Sequence, residues 1–274
     1  MVISVNPCTA FCSVLLSGAL LFLPPANAQI NSATNVESPQ AKEANPDGGL
    51  HVAMAPYLWF AGVHGTAGAR GHDTAVNASF GDVFRYLNIG AMGVVEVRYN
   101  RVIMPLDFMW MKLSDDKALP LNDVGFQSVK AKITETMLAP KIGYRMADGK
   151  RAKVDALFGI RYWHVSTDLT PQPQVGNKFS QSANWVDAVA GGRIQVALGP
   201  KAFIAVAADA GGGSARSDYQ AAGFLGYRIS RKCVLLGGYR YINVNYRPSG
   251  NAQFVYDVNM PGLVFGVTIN VKQM

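Results

Sequence analysis

The chain has 274 residues, with 25 Lys and Arg against 18 Asp and Glu, a formal net charge of +7. Only 16% of the residues are charged, 49% are hydrophobic and 28 are glycine, which excludes disorder, because such a chain can bury itself, and collagen, because no Gly-x-x period exists. No apolar run of about 18 residues occurs beyond the N-terminus, which excludes a bundle of membrane-spanning helices.

Residues 11–23, FCSVLLSGALLFL, are apolar and lead to Ala26-Asn27-Ala28, a small-x-small cleavage pattern. The pattern predicts a secretory signal over 1–28, a flexible polar leader over 29–49 and one domain over 50–274. Cleavage removes Cys8 and Cys12 and leaves Cys233, so no intramolecular disulfide is expected in an oxidising compartment.

From residue 50 onward the hydrophobic period is two, the period of strands. In 87–100, Ile89, Ala91, Val95, Val97 and Tyr99 share one face, and Asn88, Met92, Val94, Glu96 and Arg98 share the other. Asn100-Arg101 turns the chain into 102–111, where Val102, Met104, Leu106, Phe108 and Trp110 oppose Ile103, Pro105, Asp107, Met109 and Met111. The same alternation recurs in 152–163, 186–198, 201–212, 219–229, 233–246 and 261–271. Short connections at 100–101, 147–151, 199–200 and 230–232 alternate with longer ones at 114–125, 166–184, 212–217 and 247–252. Tight turns on one rim and long loops on the other are the pattern of an outer-membrane barrel.

The stretch 79–87, SFGDVFRYL, departs from this period. Ser79 can cap a helix there, and Phe80, Val83, Phe84 and Leu87 recur at helical spacing, so a short helix is predicted on the rim or folded into the lumen. Counting gives eleven stretches where an even number is needed. Either 50–78 holds a further strand or Pro261 divides the last one. The prediction is an all-β, closed antiparallel transmembrane barrel of about twelve strands, with ten as the alternative.

The second face of these strands is thinly charged. Two polarities are compatible with it: a membrane barrel with apolar residues toward lipid and a polar interior, or a soluble lipocalin-like barrel with the polarity inverted. On the membrane reading the interior acids are Glu96, Asp107, Asp155, Asp187, Asp209 and Asp257, and the bases are Arg98, Lys130, Lys132, Lys153, Arg161, Arg193, Arg228 and Arg240. Near balance predicts paired charges filling the lumen; a slight positive excess would instead suit an anion-selective pore. Gly-x-Arg recurs at 143–145, 159–161, 191–193, 226–228 and 238–240, placing a glycine beside each arginine on one face. Tyr57, Trp59, Trp110, Tyr162, Tyr227, Tyr239 and Tyr241 are predicted to sit at the membrane–water boundary. In 126–144, Lys130, Lys132, Thr134 and Thr136 would face inward in a regular strand, which sends Glu135 to lipid; a bulge near 133–136 is predicted to turn Glu135 inward. The alternative is a regular strand with Glu135 near a rim, where the cost fades.

The stretches 56–68, PYLWFAGVHGTAG, and 79–93, SFGDVFRYLNIGAMG, with GIRYW at 159–163 and GYRY at 238–241, resemble a family of proteobacterial outer-membrane β-barrel proteins of uncharacterised or porin-like type. The resemblance spans about 50–271 and implies location in the outer membrane of a Gram-negative bacterium. It also implies lipid and the barrel assembly machinery as partners, and no catalytic residues. Such proteins usually end on an aromatic residue, whereas this chain ends INVKQM.

No catalytic constellation, cofactor fingerprint or metal site is predicted, and nucleic acid is not expected as a partner, because the bases are spread singly. His51, His64, His72 and His164 lack ligand spacing. His164 and Ser166 share a face near a strand end, the arrangement a barrel-type hydrolase would need, with no third orienting residue evident. A structural or narrow-pore role is the first functional expectation, with a small anionic solute as permeant if the lumen conducts.

Overall fold

The computed structural model describes residues 49–69, 72–115, 128–172, 179–248 and 254–273. The expected signal, 1–28, lies outside the described residues, as does the leader except for residue 49. The strands are β1 (Leu50–Ala61), β2 (Val63–Ala69), β3 (His72–Ala78), β4 (Leu87–Tyr99), β5 (Val102–Asp115), β6 (Ser128–Asp148), β7 (Ala152–Gln172), β8 (Phe179–Ala197), β9 (Ala202–Gly213), β10 (Ser217–Arg228), β11 (Cys233–Tyr246) and β12 (Phe254–Gln273); one helix, α1 (Phe80–Tyr86), lies between β3 and β4.

All twelve strands form one antiparallel sheet, and β1 pairs with β4 on one side and β12 on the other, closing it. The ring runs β1-β4-β5-β6-β7-β8-β9-β10-β11-β12, so ten strands close the wall and β2 and β3 extend it. β2 continues β1 along the same edge of β12. The extra strands therefore come from 50–78, the first of the two expected alternatives. Pro261 does not divide β12. It lies across from the break between β1 and β2, where its carbonyl accepts from the Gly62 amide at 3.0 Å. A residue without an N–H is tolerated where the neighbouring strand breaks.

α1 interrupts the descending path between β3 and β4. Ser79 caps it: its side chain accepts from the Asp82 amide while the Asp82 carboxylate accepts from the Ser79 amide. The Ser79 hydroxyl, at 2.6 Å, and then its amide, at 3.0 Å, donate to the Asp82 carboxylate and hold it below its usual range. Phe80 meets Phe60 edge-on, ring centroids 4.8 Å apart, and Phe60 meets Phe265 at 5.7 Å. Phe60 lies on the outward side of β1, so α1 packs against the outside of the wall and does not plug the lumen.

The wall has membrane polarity. Leu58, Phe158, Ile160, Val206, Leu225, Leu263 and Phe265 are exposed on the outward face, while Asp155, Arg161, Asp187 and Arg240 are buried on the inward one. This excludes the lipocalin-like alternative. Tyr219 and Tyr241 sit together on the outward face with centroids 6.1 Å apart, and Tyr227 and Tyr239 are exposed there. Trp110, with Lys112 over its ring at 5.2 Å, occupies the upper outward face of β5.

β6 and β7 run 21 residues each and β8 runs 19, whereas about 10 residues cross the hydrocarbon. Their loop-side halves stand clear of the acyl region, and there the outward face turns polar, with Lys132 beside Asp168, Thr134 beside Ser166 and Thr136 beside His164. This extension explains a correction. β6 pairs with β5 and β7 in unbroken register through 131–138. Glu135, Met137 and Ala139 face inward without the bulge expected near 133–136. Lys132, Thr134 and Thr136 therefore face outward, at no cost above the hydrocarbon. The bulge in β6 lies instead between Arg145 and Ala147. The Lys130 side chain lies outside the described residues.

In a Cys233→Ser background, a cysteine at position 138 should react with a lipid-soluble maleimide and one at 135 should not. Labelling at 135 alone would place β6 in the opposite phase.

Candidate functional site

The inward face is built in tiers. Nearest the tight turns, Arg193 bridges Glu96 at 2.7 Å and Asp155 at 2.8 Å, and Asp155 also accepts from Arg145 Nε at 2.8 Å. Arg98 closes on Glu96 at 2.8 Å. Strands β4, β6, β7 and β8 are thus joined through side chains as well as backbone.

Higher up, Arg161 has no solvent exposure. It donates to Asp209 at 2.5 Å and to Asp218. Lys141 reaches Asp209 at 2.5 Å, and Gln220 donates to the same carboxylate at 2.6 Å. Arg240 donates to Asp107 at 2.6 Å, to the Gln220 carbonyl oxygen at 2.8 Å and to the Tyr57 hydroxyl at 2.8 Å. Tyr57 in turn donates to Asp107 at 2.8 Å.

The third tier is apolar and aromatic. Trp163 stacks on Trp185 at 6.2 Å, and Trp185 stacks on Tyr246 at 4.2 Å. Met109, Met137, Ile242, Val258 and Met260 fill the space around them. Trp163 ties this tier to the charges below by donating its Nε1–H to Asp218 at 2.9 Å. Glu135, buried among these residues, accepts from the Tyr256 hydroxyl at 2.9 Å. The β9–β10 turn folds over the lumen: Ala215 is buried there and its amide donates to Asp187 at 2.8 Å.

Of the predicted interior charges, Glu96, Arg98, Asp107, Asp155, Arg161, Asp187, Asp209, Arg193 and Arg240 lie on the inward face, and all but Asp187 meet an opposite charge there. Arg228 faces inward but stacks on the Phe203 ring at 4.8 Å rather than on an acid. Gly226 makes room for the Phe203 ring, since a Cβ there would come within 2.1 Å of it. Lys153 reaches Asp148 at 3.3 Å near the tight-turn rim, with its side chain 37% exposed.

Three predictions are corrected. Asp257 lies on the opposite face of β12 from the buried Tyr256 and Val258, where it pairs with Arg247 at 3.0 Å. Tyr57 and Trp59 are not boundary aromatics but point inward, their rings 5.8 and 5.2 Å from the Arg240 guanidinium. A buried cation needs both an acid and a polarisable wall, and these two rings supply the latter.

Lys141, Asp218 and Gln220 are interior groups beyond the expected set. Glu135 is inward as expected, but through the phase of the whole strand rather than a bulge, and the same phase carries Lys141 inward. Asp218 lies just after a turn, where the alternation has too few residues to show. His164 faces outward beside Thr136 and Asn184; no hydrogen bond joins it to Ser166. Among the described residues no group of three His, Cys, Asp or Glu could hold a metal.

No family model matches the chain, and no curated protein matches it. Solved structures similar in fold include the outer membrane protease OmpT from Escherichia coli, 7% identical with a TM-score of 0.43, covering 82% of this chain and 97% of that one. Ail of Yersinia pestis is 12% identical with a TM-score of 0.37, covering 81% and 99%. Neisserial surface protein A is 13% identical with a TM-score of 0.33, covering 82% and 97%. By its own closed even-stranded wall, outward apolar belt and polar lumen, this chain has the β-barrel fold of Gram-negative outer-membrane proteins. No narrower family is shown.

Arg240→Met should destabilise the barrel by about 3 kcal/mol, because it leaves the half-buried Asp107 carboxylate without its cation. Arg228→Met should cost about 1 kcal/mol, the loss of one cation–π contact. Urea unfolding in lipid vesicles measures both, and equal losses would contradict the pairing described.

Proposed function

We propose that this protein is a filled, non-conducting outer-membrane barrel whose role is structural, with outer-membrane lipid as its constant partner and the barrel assembly machinery as its partner during biogenesis. The observation that carries this reading is the apolar tier. Trp163, Met109, Met137 and Ile242 have no solvent exposure and Met260 has 1%. They come from β5, β6, β7, β11 and β12, strands spread around the ring, so side chains from separated parts of the wall meet across the lumen. Small barrels are filled in this way.

The charged tiers fit the same reading. A selective pore needs groups free to meet a passing ion, whereas here Arg98, Arg145, Arg161, Arg193 and Arg240 are committed to fixed carboxylates. The chemistry on the inward face is that of a locked network, and among the described residues no nucleophile with an adjacent base stands on it. A catalytic role is not part of the proposal.

Reconstituted in planar bilayers, the protein should give no stepwise conductance at moderate voltage. Reproducible steps of porin size, with anion selectivity, would support the pore alternative and overturn the filled-barrel reading.

A further inference from the structure

The four tight turns carry a charge pattern that the lumen does not use. Residues 100–101, 149–151, 198–201 and 229–232 hold Arg101, Lys150, Arg151, Lys201, Arg231 and Lys232 and no carboxylate. All six are exposed. In an up-and-down barrel alternate hairpins lie at one end, so bases that are scattered in sequence are gathered on a single rim. The expectation of singly spread bases is thereby corrected. A surplus of six cations on this rim accounts for most of the formal +7.

The turns are held in place. In each, a carbonyl accepts from a backbone amide of a neighbouring strand: Arg101 from Arg145 at 2.7 Å, Arg151 from Ala197 at 2.8 Å, Lys201 from Arg228 at 2.8 Å and Lys232 from Asn270 at 2.9 Å. Successive turns are two strands apart, about 10 Å in the hydrogen-bonding direction. The nearest acid in sequence, Asp148, is engaged by Lys153 at 3.3 Å and Arg145 at 3.6 Å.

The cations also adjoin the lipid-facing belt. Tyr99 precedes Arg101, Leu198 precedes Lys201 and Ile229 precedes Arg231, and these three side chains are 55%, 57% and 56% exposed. Long basic side chains beside an apolar lip carry their charge to the level of the headgroups. We propose that this basic collar binds the phosphate headgroups of anionic phospholipid in the leaflet that surrounds the tight-turn rim. Continuity with the apolar belt favours a lipid over a soluble polyanion, because the collar begins where the acyl chains end. Its attraction is electrostatic and weakens with salt. The inference does not depend on whether the lumen conducts.

The test reconstitutes the protein in phosphatidylcholine vesicles with a trace of spin-labelled phosphatidylglycerol or spin-labelled phosphatidylcholine. The motionally restricted fraction of each gives their relative affinity for the barrel surface. The expected result is a several-fold preference for phosphatidylglycerol that falls toward unity in high salt and in R101Q/K150Q/R151Q/K201Q/R231Q/K232Q. Heat-modifiable gel migration shows whether that variant folds. Should it not, four variants that each neutralise one turn should reduce the preference stepwise. Equal affinity for the two lipids, or a preference that survives neutralisation, would overturn the proposal. So would salt-sensitive pelleting with isolated cell-wall sacculi in the absence of any lipid preference, which would assign the collar to an anionic wall polymer.

Discussion

Arg161 sets the terms for the rest of the molecule. Its guanidinium has no route to water, so its charge must be met by carboxylates placed by other strands. An isolated buried charge would cost several kcal/mol, more than most single contacts contribute. Asp209 from β9 and Asp218 from β10 meet it, which ties β7 through side chains to strands two and three places along the wall that its backbone does not reach. Lys141 and Gln220 then compete for the same Asp209 carboxylate, drawing in β6 and the inward face of β10. The backbone ladder decides which strands are neighbours; the buried charges decide how the closed wall is braced inside.

That bracing explains why the apolar tier can exist above it. Trp163 follows two residues after Arg161 on the same inward face and bonds Asp218, the same acid that neutralises the arginine. The ring is held where Trp185 and Tyr246 stack on it in sequence. Methionines from β5, β6 and β12 take up the irregular space that remains, a use suited to their flexible side chains. The apolar tier thus depends on the charge network, and the two cannot be altered independently at Asp218.

Much of this was legible in the sequence because lipid and lumen impose alternation. β4, β5, β7 and β10 could be read face by face, and Glu96, Asp107, Asp155, Arg161 and Arg193 fell inward as the period required. The reading failed where the period carried a different meaning. In β6 the polar outward residues belong to a strand rising above the membrane, so Lys132 and Thr134 mimicked a lumen face, and Glu135 needed a bulge to reach an interior it occupies by the phase of the regular strand. In β1, Tyr57 and Trp59 have the composition of boundary aromatics, and it is Arg240, two strands along the wall and 183 residues from Tyr57 in sequence, that they meet on the inward face. The basic collar was invisible for a related reason: its members are far apart in sequence and become neighbours only when hairpins are stacked around a ring.

A double-mutant cycle between Arg161 and Asp218 tests the account most directly. Arg161→Met, Asp218→Asn and the double variant would be unfolded in urea from lipid vesicles under one set of conditions. The account predicts that the double variant is less destabilised than the sum of the singles by about 2–3 kcal/mol, since the arginine's loss matters less once its acid is already neutral. Additive losses would show that the two side chains do not depend on one another, and would remove the basis for a lumen closed and braced by its own charges.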